Sequence, residues 1–171
     1  MQEKRHNCPQ HDRLPDCPDR PGTESDAASC AIQLKTGITE LLRMKRHIKY
    51  WVDSADHDLD VAESLFENAK YDWCLFIAHL VLEKTMKGLY VKYKKDFPPR
   101  THDLVRLSQI IGLDIDEDTL EFLDSVNTFN ISTRYPDEKL RFYKLCTKDF
   151  AAENFARIKE IRKWLLQKIH Q

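Results

Sequence analysis

The chain has 171 residues, a length suited to one ordinary domain. With 42% hydrophobic and 32% charged residues it can fill a core and cover it, and its four glycines give few of the interruptions that turn-rich sheet proteins need. The 27 Lys and Arg against 28 Asp and Glu, a net charge of −1, argue against a strongly electrostatic nucleic-acid binder while leaving room for local patches, and no run of 18 uncharged apolar residues is present to span a membrane.

The N-terminus is charged and polar and lacks the apolar core of a signal peptide, so a cytoplasmic location is expected. Residues 1–30 read as a disordered leader: Pro9, Pro15, Pro18, Pro21 and Gly22 punctuate a stretch with few apolar groups. His6, Cys8, His11 and Cys17 raise zinc, but their spacing fits no strong finger pattern, and no metal and no cofactor are expected. The five cysteines are an odd number; Cys74 and Cys146 fall inside helical patterns and read as small buried hydrophobes, so a disulfide scaffold explains them poorly.

Residues 31–49 form a weak helical extension whose apolar face is Leu34, Ile38, Leu41 and Leu42, followed by the basic run Arg43, Lys45, Arg46, His47 and Lys49. Such a run most often means a solvated face. From Trp51 to Ala69, Val52, Ala55, Leu59, Ala62, Phe66 and Ala69 recur at three- and four-residue steps and predict a helix with one core stripe and an acidic outer side. A second helix, Trp73 to Tyr93, is apolar around most of its first half, as suits a central position, and Pro98 and Pro99 end this stretch. Thr101 reads as the N-cap of a short helix ending at Gly112. An acidic connector leads to a helix carrying Leu120, Leu123 and Val126 and ending near Phe129, then a loop from Asn130 to Asp137. A terminal region from Glu138 to Lys168, with a break near Thr147, repeats Ala151, Phe155, Ile158, Leu165 and Ile169 on one face. The expected fold is all-α: an antiparallel four-helix up-and-down bundle with an additional short helix, occupying residues 50–170.

Glycine-rich phosphate loops, a G-x-S-x-G elbow, an H-E-x-x-H helix and paired Glu-x-x-His ligands are all missing. Three constellations remain. Glu83, Lys84 and Lys87 lie within one helical turn, where a Glu83–Lys87 pair is ordinary helix support. Thr101-His102-Asp103 sits at a helix start, where a histidine can cap, pack or bind. Arg134-Tyr135-Pro136 combines a cation able to grip phosphate or carboxylate with a ring able to stack; the plainer reading is Arg134 paired at a helix end and Tyr135 packed between helices.

Taken in order, Trp51, Ala55, Asp58-Leu59, Ala62 and Leu65, then Tyr71, Ala78, Leu82-Glu83-Lys84 and Lys87-Gly88-Leu89, then Pro99, Thr101-His102-Asp103-Leu104 and Leu107, and last Arg134-Tyr135-Pro136, make the stretch from about residue 50 to 169 resemble the HEPN family of small helical bundles. That resemblance implies four main helices with a short extra one, a homodimer, and association with nucleotides or RNA, often beside a minimal nucleotidyltransferase in a toxin–antitoxin-like pair. Some members are metal-independent RNA endonucleases, marked by arginine followed after four to six residues by histidine. Here Lys139, Leu140 and Arg141 occupy the places where that histidine would follow Arg134, and the next histidine is His170. Arg5 and His11 have the spacing, but they lie outside the resemblance and read as coincidence.

The expectation is therefore a non-catalytic nucleotide-associated or partner-binding module, with Arg134, Tyr135, His102, Lys84 and Lys87 lining a polar groove and a nucleotidyltransferase-like protein as partner. The alternatives are a metal-independent RNA endonuclease using Arg134 and His102, and a structural protein-interaction bundle.

Overall fold

Apolar residues repeating at three- and four-residue steps leave each helix with one face that only another helix can cover. The computed structural model of the chain meets that demand. It describes the backbone of residues 24–132 and 142–171 and the side chains of residues 38–131 and 142–171. Among the described residues all regular structure is helical: α1 (Glu24–Glu67), α2 (Tyr71–Lys94), α3 (Leu104–Ile111), α4 (Glu117–Ser132), a turn of helix over 142–145, α5, and α6 (Lys148–His170). The chain divides into two units, Met1–Gly37 and Ile38–Gln171, and the bundle is the second.

The four long helices α1, α2, α4 and α6, with α3 as the short one, make the expected up-and-down bundle. Contacts set the directions. Phe66 near the end of α1 meets Tyr71 at the start of α2, and Trp51 and Val52 of α1 face Gly88 farther along α2, so the two run antiparallel. Phe66 also meets Phe155 of α6, while Asp56 pairs with Arg162, so α1 and α6 are antiparallel too. The small face of Gly88 permits this approach: a Cβ there would stand 3.4 Å from the Trp51 Cβ, 3.6 Å from Ile169 and 3.7 Å from Val52.

α2 is the central element, packed on α3, α4 and α6 as well as α1. Its Leu75, Leu82, Met86 and Leu89 are wholly buried and join Leu104, Leu107, Leu123, Ile158 and Leu165 in one core. Cys74 and Cys146 are buried free thiols; burial pushes each up to about 12. Among the described residues no helix is long and apolar enough to cross a membrane.

Several boundaries differ from the sequence expectation, each for a local reason. α1 continues through Tyr50 and Trp51 without a break, because no proline or glycine interrupts it there. It ends at Glu67, where Lys70 N donates to Leu65 O (2.8 Å) and Ala69 N to Phe66 O (3.1 Å), with Ala69 in the left-handed region at φ 56°. This is a Schellman ending built on alanine instead of the usual glycine. The N-cap of α3 is not Thr101 but Asp103, two residues later, whose carboxylate accepts from Arg106 N at 3.0 Å. Gly112 closes α3 as expected, at φ 82°. α4 extends to Ser132, so Asn130 and Ile131 are helical, not loop. The terminal region breaks at Cys146 and Thr147, and the Thr147 hydroxyl caps α6 by accepting from Phe150 N at 3.3 Å.

Candidate functional site

Glu83, Lys84 and Lys87 lie on α2, where a 3.6-residue period puts 83 and 87 on one flank and turns 84 toward another. Lys87 Nζ donates to Glu83 Oε1 at 2.6 Å, with both side chains almost out of solvent, and the ammonium also stands 5.3 Å from the centre of the Trp51 ring. Lys84 Nζ lies 2.6 Å from Asp58 Oδ2, joining α2 to α1. The second oxygen of Glu83 reaches outward: His102 Nδ1 stands 2.9 Å from Oε2. Burial alone would push the Glu83 carboxyl up, but hydrogen bonds from Lys87 and His102 outweigh it and hold the group below the ordinary carboxylate value of 4.5. An ionised carboxylate only accepts, so His102 Nδ1 carries the proton and donates. Nε2 is then left at the outer edge of a side chain that is 64% exposed.

The backbone carrying His102 is held from below. His79, fully buried on α2, contacts the His102 carbonyl through Nε2 at 2.9 Å; since a carbonyl only accepts, that nitrogen donates. The Nδ1 of His79 faces the side-chain amide of Asn130, on the last turns of α4, at 3.4 Å. Asn127, one turn earlier, accepts from Leu104 N at 2.9 Å and donates to the Asp103 carboxylate at 3.1 Å. α4 thus fixes the start of α3, and α2 fixes the residue just before it. The result is an imidazole with an anchored backbone, an oriented ring and one free edge, the arrangement that lets histidine exchange a proton or meet an anion.

Of the residues expected to form a groove, the structure brings Lys87 and His102 together through Glu83, and it places Lys84 on Asp58. Arg134, Tyr135 and Pro136 lie outside the described residues, as do the leader residues His6, Cys8, His11 and Cys17. Among the described residues no group of three or more His, Cys, Asp or Glu is placed to hold a metal ion. A shallow acidic groove on α1, about 750 Å³ and lined by Asp53, Asp56, His57 and Asp60 among others, includes none of the expected residues.

Sequence reasoning missed His79 and Asn130 as parts of the site. A signal existed for His79: it is the one strongly polar residue between Cys74 and Leu82, and a buried imidazole there needs partners. Asn130 offered less, because its role depends on α4 continuing past Phe129.

The profile of the HEPN domain family matches residues 48–169. Two solved structures share the fold. One is TT1696 from Thermus thermophilus, 24% identical, with a TM-score of 0.60 over 71% of this chain and 97% of that one. The other is ST0689, described as an archaeal HEPN homologue, 22% identical, with a TM-score of 0.58 over the same shares. No curated protein is significantly similar in sequence.

Proposed function

The chain belongs to the HEPN domain family, and on that basis we propose that it is a non-catalytic, homodimeric module that binds a minimal nucleotidyltransferase-like protein in a cytoplasmic toxin–antitoxin-like pair. The observation that carries this reading is how the candidate cations are spent. Lys84 is engaged by Asp58 and Lys87 by buried Glu83, so two of the groups expected to meet a phosphate are already neutralised within the bundle. A ligand phosphate would have to displace carboxylates from them, and freeing a buried ammonium costs several kcal/mol by order of magnitude. The polar cluster serves instead to fix the surface formed by the 98–103 segment and the end of α4. Arg134, Tyr135 and His102 are the residues we assign to that surface, with residues 50–170 as the working module.

Affinity capture of the tagged chain from its own cell extract, with and without RNase, tests the reading. RNase-resistant recovery of a nucleotidyltransferase-like protein, lost on Arg134→Glu or His102→Glu, is the expected result. Recovery of RNA-dependent ribonucleoproteins alone would refute it.

One observation favours a second reading, metal-independent RNA cleavage. A histidine bonded through Nδ1 to a carboxylate, with Nε2 outward, is oriented as a general base is. In that reading Arg134 stabilises charge on the scissile phosphate, and either Arg134→Ala or His102→Ala abolishes cutting.

A further inference from the structure

The basic run of α1 and the far end of α2 carry chemistry that the His102 surface does not use. Arg43, Arg46, His47 and Tyr50 follow at three- and four-residue steps and so share one flank of α1. Contacts show what that flank faces. The Arg43 guanidinium lies 5.1 Å from the centre of the Phe97 ring, and the His47 ring lies 5.0 Å from it. Phe97 stands just past the end of α2, so Lys94 and Lys95 border the same place, with Tyr93 one turn back.

Two features separate this patch from an ordinary solvated face. The first is free charge in a chain whose net charge is −1. Neither residues 43–50 nor residues 92–95 contain an acidic side chain. Lys49 is taken by Asp53, and Lys92 by the carbonyls of Lys168 and Ile169 at the end of α6, while Arg43 is paired with Glu40 at 3.5 Å in an exposed contact that water screens and an incoming phosphate can displace. Arg46, Lys94 and Lys95, all exposed, have no hydrogen bond or ion pair from their side chains among the described residues. The second is exposed aromatic surface set among those cations: Tyr50 is 63% exposed, Phe97 56% and Tyr93 46%. Burying such rings at the surface of a bundle would be favourable, and leaving them out beside unpaired cations suits a ligand with both flat faces and negative charge.

We infer that this α1–α2 patch binds single-stranded nucleic acid, its phosphates on Arg43, Arg46, Lys94 and Lys95 and its unstacked bases on Tyr50, Tyr93 and Phe97. Cations that track a backbone, interleaved with rings on which any base can stack, are what sequence-tolerant single-strand binding requires. A duplex keeps its base faces stacked and would use the charges alone. Tyr93 is ten residues beyond Glu83 on α2, about 15 Å at the helical rise, so this site is separate from the His102 surface and does not depend on the reading given to it.

Fluorescence anisotropy of the full chain with labelled 20-nucleotide single strands, RNA and DNA in parallel arms, tests this at low and moderate salt. The two arms separate RNA from DNA as the source of the same chemistry. Expected are binding of single strands in preference to duplex, and weakening of more than about ten-fold in Arg43→Glu/Arg46→Glu, with a salt slope shallower by about 1.4 once two phosphates are no longer neutralised. Tyr50→Ala and Phe97→Ala should each weaken binding about five-fold or more with the slope kept. Arg43→Gln/Arg46→Gln repeats the charge test without introducing repulsion, and thermal melts confirm folding. The charge-matched control Lys148→Glu/Lys163→Glu on α6 should bind as the wild type does. Absence of binding at low salt, equal weakening in the α6 control, or adsorption to vesicles containing phosphatidylserine in place of the oligonucleotides would each overturn the assignment.

Discussion

Removing the Glu83 carboxylate is the sharpest test of the polar cluster. In Glu83→Ala the Lys87 ammonium stays where it is, its side chain only 10% exposed, with the nearby Trp51 ring as remaining compensation. His102 loses its acceptor as well. Breaking a buried pair by deleting one partner costs about 3–5 kcal/mol, a large part of the roughly 5–15 kcal/mol that holds an ordinary domain together. Chemical denaturation followed by circular dichroism should therefore show a loss in that range. Replacing both partners, Glu83→Leu/Lys87→Met, removes the orphaned charge and should recover most of it, leaving a net change within about 2 kcal/mol. The pH dependence follows from the direction of the Glu83 shift. Because the folded carboxyl is held below its ordinary 4.5, its contribution is present above that value and is lost as pH falls through the folded one. Glu83→Gln should accordingly flatten the acid limb of the stability curve. A cost under about 1 kcal/mol for Glu83→Ala, or a double variant as unstable as the single one, would refute the reasoning, since either would mean that the pair is effectively solvated.

Three further outcomes follow from the packing. Ala69→Gly should raise stability by about 1 kcal/mol in thermal or urea unfolding, because the left-handed conformation that ends α1 strains any residue with a Cβ. Gly88→Leu should destabilise by about 1–3 kcal/mol or prevent folding, because the contacts at 3.4–3.7 Å leave no room for a branched side chain between α1, α2 and α6. Cys74 and Cys146, with burial pushing each thiol up to about 12, should resist a thiol reagent at pH 8 in the native protein and react rapidly in denaturant.

The bundle was legible because its signal is repeated. The stripe on α1, the nearly all-round apolar surface of α2 and the repeat along α6 each report the same architecture several times over, and Gly112 and Thr147 mark boundaries by their own chemistry. The boundaries that moved are those decided by competition between near neighbours. Thr101 and Asp103 are both good caps, and the choice falls to Asp103 because Asn127 of α4 also reaches it. Ala69 gave no warning of a left-handed ending, which glycine would have announced. In the site, the Glu83–Lys87 pair follows from spacing alone. That Glu83 also holds His102, 19 residues away, depends on how the 98–103 segment folds back over α2, and no local pattern encodes that distance. The basic run of α1 was visible from the start, but only the contact of Arg43 and His47 with Phe97 shows which of its flanks meets the end of α2.

The measurement that bears most directly on the central claim is incubation of the purified full chain with structured and single-stranded RNA in excess chelator, resolved on a denaturing gel. A non-catalytic module leaves the RNA intact, whatever it binds. Cleavage without divalent metal, retained through purification and abolished by Arg134→Ala or His102→Ala with the fold preserved, would contradict the account and make the Glu83–His102 pair part of an active site.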